Sequence, residues 1–82
     1  MRPDIRLDQL PLSTPATISN VDWTALGADG GRLRQLGFDE GVRIEPLHQG
    51  PVGADPLAVR VGRMTVAIRR AHARAVAVAL AS

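Results

Sequence analysis

Leu33-Arg34-Gln35-Leu36-Gly37-Phe38-Asp39-Glu40-Gly41-Val42-Arg43-Ile44 decides the fold of this chain, because it sets a helix end, a turn and a strand start side by side. Leu33 and Leu36 are three apart and share one helix face. Gly37 follows at once, where a helix C-terminus favours a residue that tolerates positive φ. Phe38 supplies the apolar contact that accompanies such a stop. Gly41 marks a second turn, and Val42 and Ile44 begin a period-2 pattern.

Downstream, Leu57-Ala58-Val59-Arg60-Val61 and Met64-Thr65-Val66-Ala67-Ile68 alternate as strands. Gly62-Arg63 between them suits a two-residue type II′ loop with glycine first. That register pairs Val61 with Met64, Val59 with Val66 and Leu57 with Ile68, all six on the core side, and sets Arg60 opposite Thr65 on the wet side. The Gly- and Pro-rich segment from His48 to Pro56 reads as a surface loop. Residues 70–75 suit one helical turn, and Val76, Val78 and Leu80 a closing strand.

Upstream, Ala16, Ile18, Val21 and Trp23 read as a strand whose apolar phase shifts at Ser19-Asn20, the mark of a bulge. Gly27-Ala28-Asp29-Gly30-Gly31 reads as a flexible lead into the helix, with Asp29 as its N-cap. Residues 1–15, punctuated by Pro3, Pro11 and Pro15, form an N-terminal arm that lays Leu7, Leu10 and Leu12 on a body of residues 16–82. About five short strands, one short helix and one helical turn predict an all-β, SH3-like, partly open barrel, with an OB-like barrel as the alternative.

Eighty-two residues make one domain with little room for an internal cavity. There is no cysteine, which excludes disulfides, a thiolate nucleophile and a zinc ribbon, and suits a reducing cytosol. No apolar run is long enough to span a membrane, and the N-terminus has no secretory pattern. The pI of about 11.0 follows from the absence of lysine, tyrosine and cysteine at a net charge of only +2. Residues 1–55 hold five arginines and eight acids; residues 56–82 hold Arg60, Arg63, Arg69, Arg70 and Arg74 and no acid. Either the two halves pair across the fold, or those arginines form an anion-seeking face.

The order and spacing of these segments resemble the FeoA family. Leu33-x-x-Leu36-Gly37-x-x-x-Gly41 resembles its helix and turn, and Val42-Arg43-Ile44-Glu45-Pro46-Leu47 the strand that follows. Gly50-Pro51-Val52-Gly53 with Pro56 to Val61 resembles its proline loop and next strand, and Ala67-Ile68-Arg69-Arg70 its following strand end. Two departures stand out: Ser13-Thr14-Pro15-Ala16 replaces a frequent glycine, and Ala71-His72-Ala73-Arg74 is more basic than the family's usual turn. The resemblance implies a non-catalytic cytosolic accessory of bacterial ferrous iron uptake, partnered with the G-protein-like domain of the FeoB transporter. The same barrel occurs in metal-dependent repressors, but no helix-turn-helix precedes it here, which favours a stand-alone protein over a metal-responsive regulatory module.

Ferrous iron favours imidazole with carboxylate. The two histidines, His48 on a loop and His72 on a helical turn, lack ligand spacing and are weak metal candidates; a site shared across a homo-oligomer stays open. No cofactor is implied. Ser13 and Ser19 lack a nucleophile context, so no enzyme is expected. Gly30-Gly31 offers either an anion-binding helix start or plain flexibility. Trp23 and Phe38, the only aromatics, both fit the core, which disfavours a proline-peptide groove and a base-stacking platform. Nucleic-acid binding would rest on Arg60, Arg63, Arg69, Arg70 and Arg74 alone. The preferred reading is protein contact through Leu33, Leu36 and Phe38 with Arg32 and Arg34 at the rim, against the alternative that the apolar three cap the core.

Overall fold

The computed structural model describes residues 4–80; residues 1–3 of the expected arm, Pro3 among them, and residues 81–82 lie outside that range. The chain forms β1 (Ile5–Arg6), β2 (Ala16–Val21), α1 (Trp23–Leu26), α2 (Gly30–Gln35), β3 (Arg43–Val52), β4 (Asp55–Val61), β5 (Met64–Ile68), α3 (Arg70–Ala73) and β6 (Val76–Leu80). The strands make one antiparallel sheet in the order β1-β6-β2-β3-β4-β5. β1 and β5 remain edges, so the barrel is partly open. This is the all-β, SH3-like architecture that the strand spacing predicts, with a sixth strand at the N-terminal edge.

The deciding stretch folds as read. Gly37 has φ 103°, the Gly37 N–H donates to the Arg34 carbonyl at 3.0 Å, and the Phe38 N–H donates to the Leu33 carbonyl at 3.1 Å. These are the two bonds of a Schellman stop, and Leu33 and Phe38 provide its apolar contact. Gly41, at φ 85°, then donates to the Ile18 carbonyl and starts β3 against β2. The β4–β5 hairpin takes the predicted register from Val61↔Met64 through Leu57↔Ile68, with Arg60 opposite Thr65. Of the six core-side residues, Met64 is the exception: it lies at the hairpin end and is exposed. The predicted bulge in β2 falls between Ile18 and Asn20.

Further expectations are corrected. The strand from Ala16 stops at Val21, because the Asp22 carboxylate accepts the Ala25 N–H at 3.0 Å and caps α1, which begins with Trp23. Residues 27–31 are not a flexible lead: Gly27–Asp29 is a 3-10 turn and Gly30 opens α2. Gly30 permits close approach, since a Cβ there would sit 3.3 Å from the Trp23 ring, tighter than ordinary contact. Asp29 makes no side-chain cap to α2 and turns instead to His72. The loop expected from His48 is the end of β3, which turns back into β4 at Gly53 and Ala54, both at positive φ.

The core joins both ends of the chain. Leu7, Leu10, Ala16, Ile18, Val21, Leu26, Leu33 and Phe38 pack with Ile44, Leu57, Val59, Val61, Ile68, Ala73, Val76 and Val78. Leu12 is exposed, unlike its neighbours Leu7 and Leu10. Pro46, buried in β3, sits where the β3–β4 ladder shifts register, so its missing N–H falls at a break in pairing.

Candidate partner-docking surface

The helix and turn carry the residues chosen for partner contact, and the fold divides them. Leu33 is 1% exposed and Phe38 is fully buried. Both point into the barrel because the Schellman stop folds one onto the other, so the expected contact through these two is corrected to core packing. Arg32 and Arg34 are exposed and Leu36 is half-buried at the rim. Sequence reasoning missed the fourth member of this surface. The Arg34 guanidinium lies 4.3 Å from the centroid of the Trp23 ring, which is only partly buried, rather than in the core as expected. α1 and α2 thus present an arginine-on-tryptophan platform, with Arg32 and Leu36 elsewhere on α2 and at its C-terminal cap. The signal available in sequence was the Asp22-Trp23 pair, where an N-cap residue precedes the aromatic.

The five C-terminal arginines do not act as one face. Arg70 is half-buried and occupied: its Nε donates to the Ala54 carbonyl at 2.7 Å, and its two Nη groups to the Asp8 carbonyl at 2.9 Å and Gln49 Oε1 at 2.8 Å. Arg74 lies 3.9 Å from the Asp8 carboxylate, which Arg6 grips through two hydrogen bonds. His72 Nε2 is 3.0 Å from Asp29 Oδ2. Acids of the first half therefore meet basic groups of the second at Asp8 and Asp29, as the pairing reading expects. Arg60, Arg63 and Arg69 have no salt bridge among the described residues. Arg63 and Arg69 bracket β5 and stand about 20 Å apart at strand rise. That spacing, with no aromatic between them, gives nucleic acid neither a continuous charge track nor a stacking platform.

His48 lies exposed in β3 and His72 in α3. Among the described residues, no group of three His, Cys, Asp or Glu side chains comes together, so neither histidine belongs to a recognisable metal-ligand cluster. The Ser19 hydroxyl donates to Asp4 at 2.6 Å. Every buried side-chain nitrogen and oxygen among the described residues has a hydrogen-bond partner. No helix among them is long and apolar enough to cross a membrane.

Sheet order, partial opening and helical cap together define a small SH3-like domain. The profile of the FeoA domain matches residues 5–80, and the chain belongs to the FeoA domain family. It is similar to Stenotrophomonas maltophilia FeoA complexed with zinc, described as a procaryotic SH3 domain protein and a candidate ferrous iron transport activating factor. Identity is 41% over 92% of this chain and 89% of that one, with a TM-score of 0.77. It is also similar to Chlorobium tepidum FeoA, at 26% identity over 95% and 71% of the two chains and a TM-score of 0.83. T. acidophilum IdeR shares the fold at 24% identity and a TM-score of 0.77, over 99% of this chain and 37% of that one. No curated protein sequence gives a significant match.

Proposed function

We propose that this FeoA-domain protein is a non-catalytic accessory of ferrous iron transport that works in the cytosol by docking onto the G-protein-like domain of the FeoB transporter. The observation that carries the reading is the FeoA domain match over residues 5–80. The similarity to an FeoA described as a candidate transport activating factor supports it. The contact is assigned to Arg34 on Trp23, with Arg32 and Leu36 contributed by the same helix and its C-terminal cap. Arginine and tryptophan are the side chains that dominate protein interfaces, and a pre-stacked pair loses little side-chain entropy on docking.

The test is titration calorimetry of the chain against the isolated G-protein-like domain of FeoB from the same organism, at low and moderate salt. Saturable binding that Arg34→Glu abolishes without changing the melting temperature supports the reading. Absence of heat at high micromolar concentrations of both proteins overturns it.

A further inference from the structure

We propose that the free edge of β5 is a second docking site, which takes an extended, acidic segment of a partner protein as an added strand. The inference rests on the sheet edge and is independent of contact through α1 and α2.

β5 pairs with β4 on one side only. In the ladder set by the Gly62-Arg63 loop, Met64 and Val66 exchange hydrogen bonds with Val61 and Val59. The N–H and C=O groups of Thr65 and Ala67 therefore point outward. Among the described residues, no backbone hydrogen bond outside the ladder engages β5. Edges are ordinarily blunted by a charge, a proline, a bulge or very short length. β1 follows that rule, with two residues, one of them Arg6. β5 does not: Met-Thr-Val-Ala-Ile is five residues with no charge, no proline and an unbroken register.

What surrounds the edge selects its occupant. Arg63 precedes β5 and Arg69 follows it in extended conformation, on the odd phase shared by Thr65 and Ala67. Arg60 lies opposite Thr65 on the same wet face. Residues 56–80 contain no acid. An incoming strand thus meets three arginines on one face. On its other face it meets Met64, 51% exposed, and at the far end of the edge lies an open pocket lined by Val52, Asp55, Pro56 and Arg69. Val52 in that pocket is 81% exposed. Alternating acidic and apolar side chains satisfy both faces, and main-chain hydrogen bonds at Thr65 and Ala67 supply the register.

The test uses the whole chain and the capped peptide Ac-Glu-Val-Glu-Val-Glu-Val-Glu-NH2, with a control in which lysine replaces each glutamate. Amide NMR is expected to show saturable shifts and slowed hydrogen exchange centred on Thr65 and Ala67 with the acidic peptide and not with the basic one. Ala67→Glu, at an exposed position, is expected to weaken binding about tenfold by repulsion. Thr65→Pro removes the outward donor and should abolish binding. No shift at Thr65 or Ala67 at about 1 mM acidic peptide overturns the proposal, as does equal binding of the basic peptide. Protection of the same amides by self-association without peptide also overturns it, in favour of a second copy as occupant.

Discussion

The carboxylate of Asp55, at the start of β4, accepts the backbone N–H of Arg70, the first residue of α3, at 3.0 Å. A four-residue helix whose preceding residue, Arg69, offers no side-chain cap is thereby capped from another strand. Asp55→Ala is expected to cost about 1 kcal/mol, the usual value of a lost N-cap. That corresponds to a fall of about 4–8 °C in melting temperature for a domain of this size. Asp55→Asn keeps the acceptor and should retain most of the stability. A melt unchanged in Asp55→Ala would refute the cap.

Arg70 ties the β3–β4 turn and the N-terminal segment to α3 through three acceptors on Ala54, Asp8 and Gln49. A lysine cannot reproduce that planar fork. Arg70→Lys is expected to destabilise by about 2–3 kcal/mol in urea unfolding, close to Arg70→Gln, because two or more acceptors lose their partner. Retention of wild-type stability by Arg70→Lys would show that charge alone suffices.

Two glycines should respond oppositely to a methyl group. A Cβ at Gly50 would collide with the Asp55 carbonyl across the hairpin, where no rotamer change relieves it. Gly50→Ala is expected to cost about 3 kcal/mol or more, seen as an unfolded or insoluble product. Gly31, in α2, has open space around its position and no positive φ. Gly31→Ala should stabilise by about 0.4–1 kcal/mol through helix propensity and reduced freedom of the unfolded chain.

Leu33→Asp places a charge in the barrel beneath the Schellman stop and is expected to prevent folding. Phe38→Ala should cost about 3–5 kcal/mol. Arg34→Ala, by contrast, removes only a surface cation–π contact worth about 0.5–1 kcal/mol and should leave the fold intact. Circular dichroism separates the three, and the emission of Trp23, the only tryptophan, reports the loss of its guanidinium cover.

Features legible in the sequence were those that a few neighbouring residues determine. Gly37 and Phe38 write the helix stop, Gly62-Arg63 writes the hairpin register, and the phase change at Ser19-Asn20 writes the bulge. What escaped was set by distant partners. The segment from His48 to Val52 has loop composition, yet it extends as strand because β4 returns alongside it and Gly50 lets the Asp55 carbonyl close in. Asp29 has the identity and position of an N-cap, but the His72 ring, 43 residues on, draws its carboxylate away. Leu33 and Phe38 read equally well as surface or core, because periodicity names a face and not what covers it. Arg70 looks like its neighbours Arg69 and Arg74 in sequence; only the fold shows that its charge is spent internally.

β6 lies between β1 and β2, so the C-terminal strand of the domain separates two strands from its beginning. On the ribosome, β1 and the outer edge of β2 must wait without their neighbour until residues 76–80 have emerged. The hairpin of β4 and β5 can form earlier because its pairing is local. Completion of the sheet consequently waits for the last strand of the domain, and a nascent chain stalled before Val76 exposes Ile18 and Val21 with no strand to cover them.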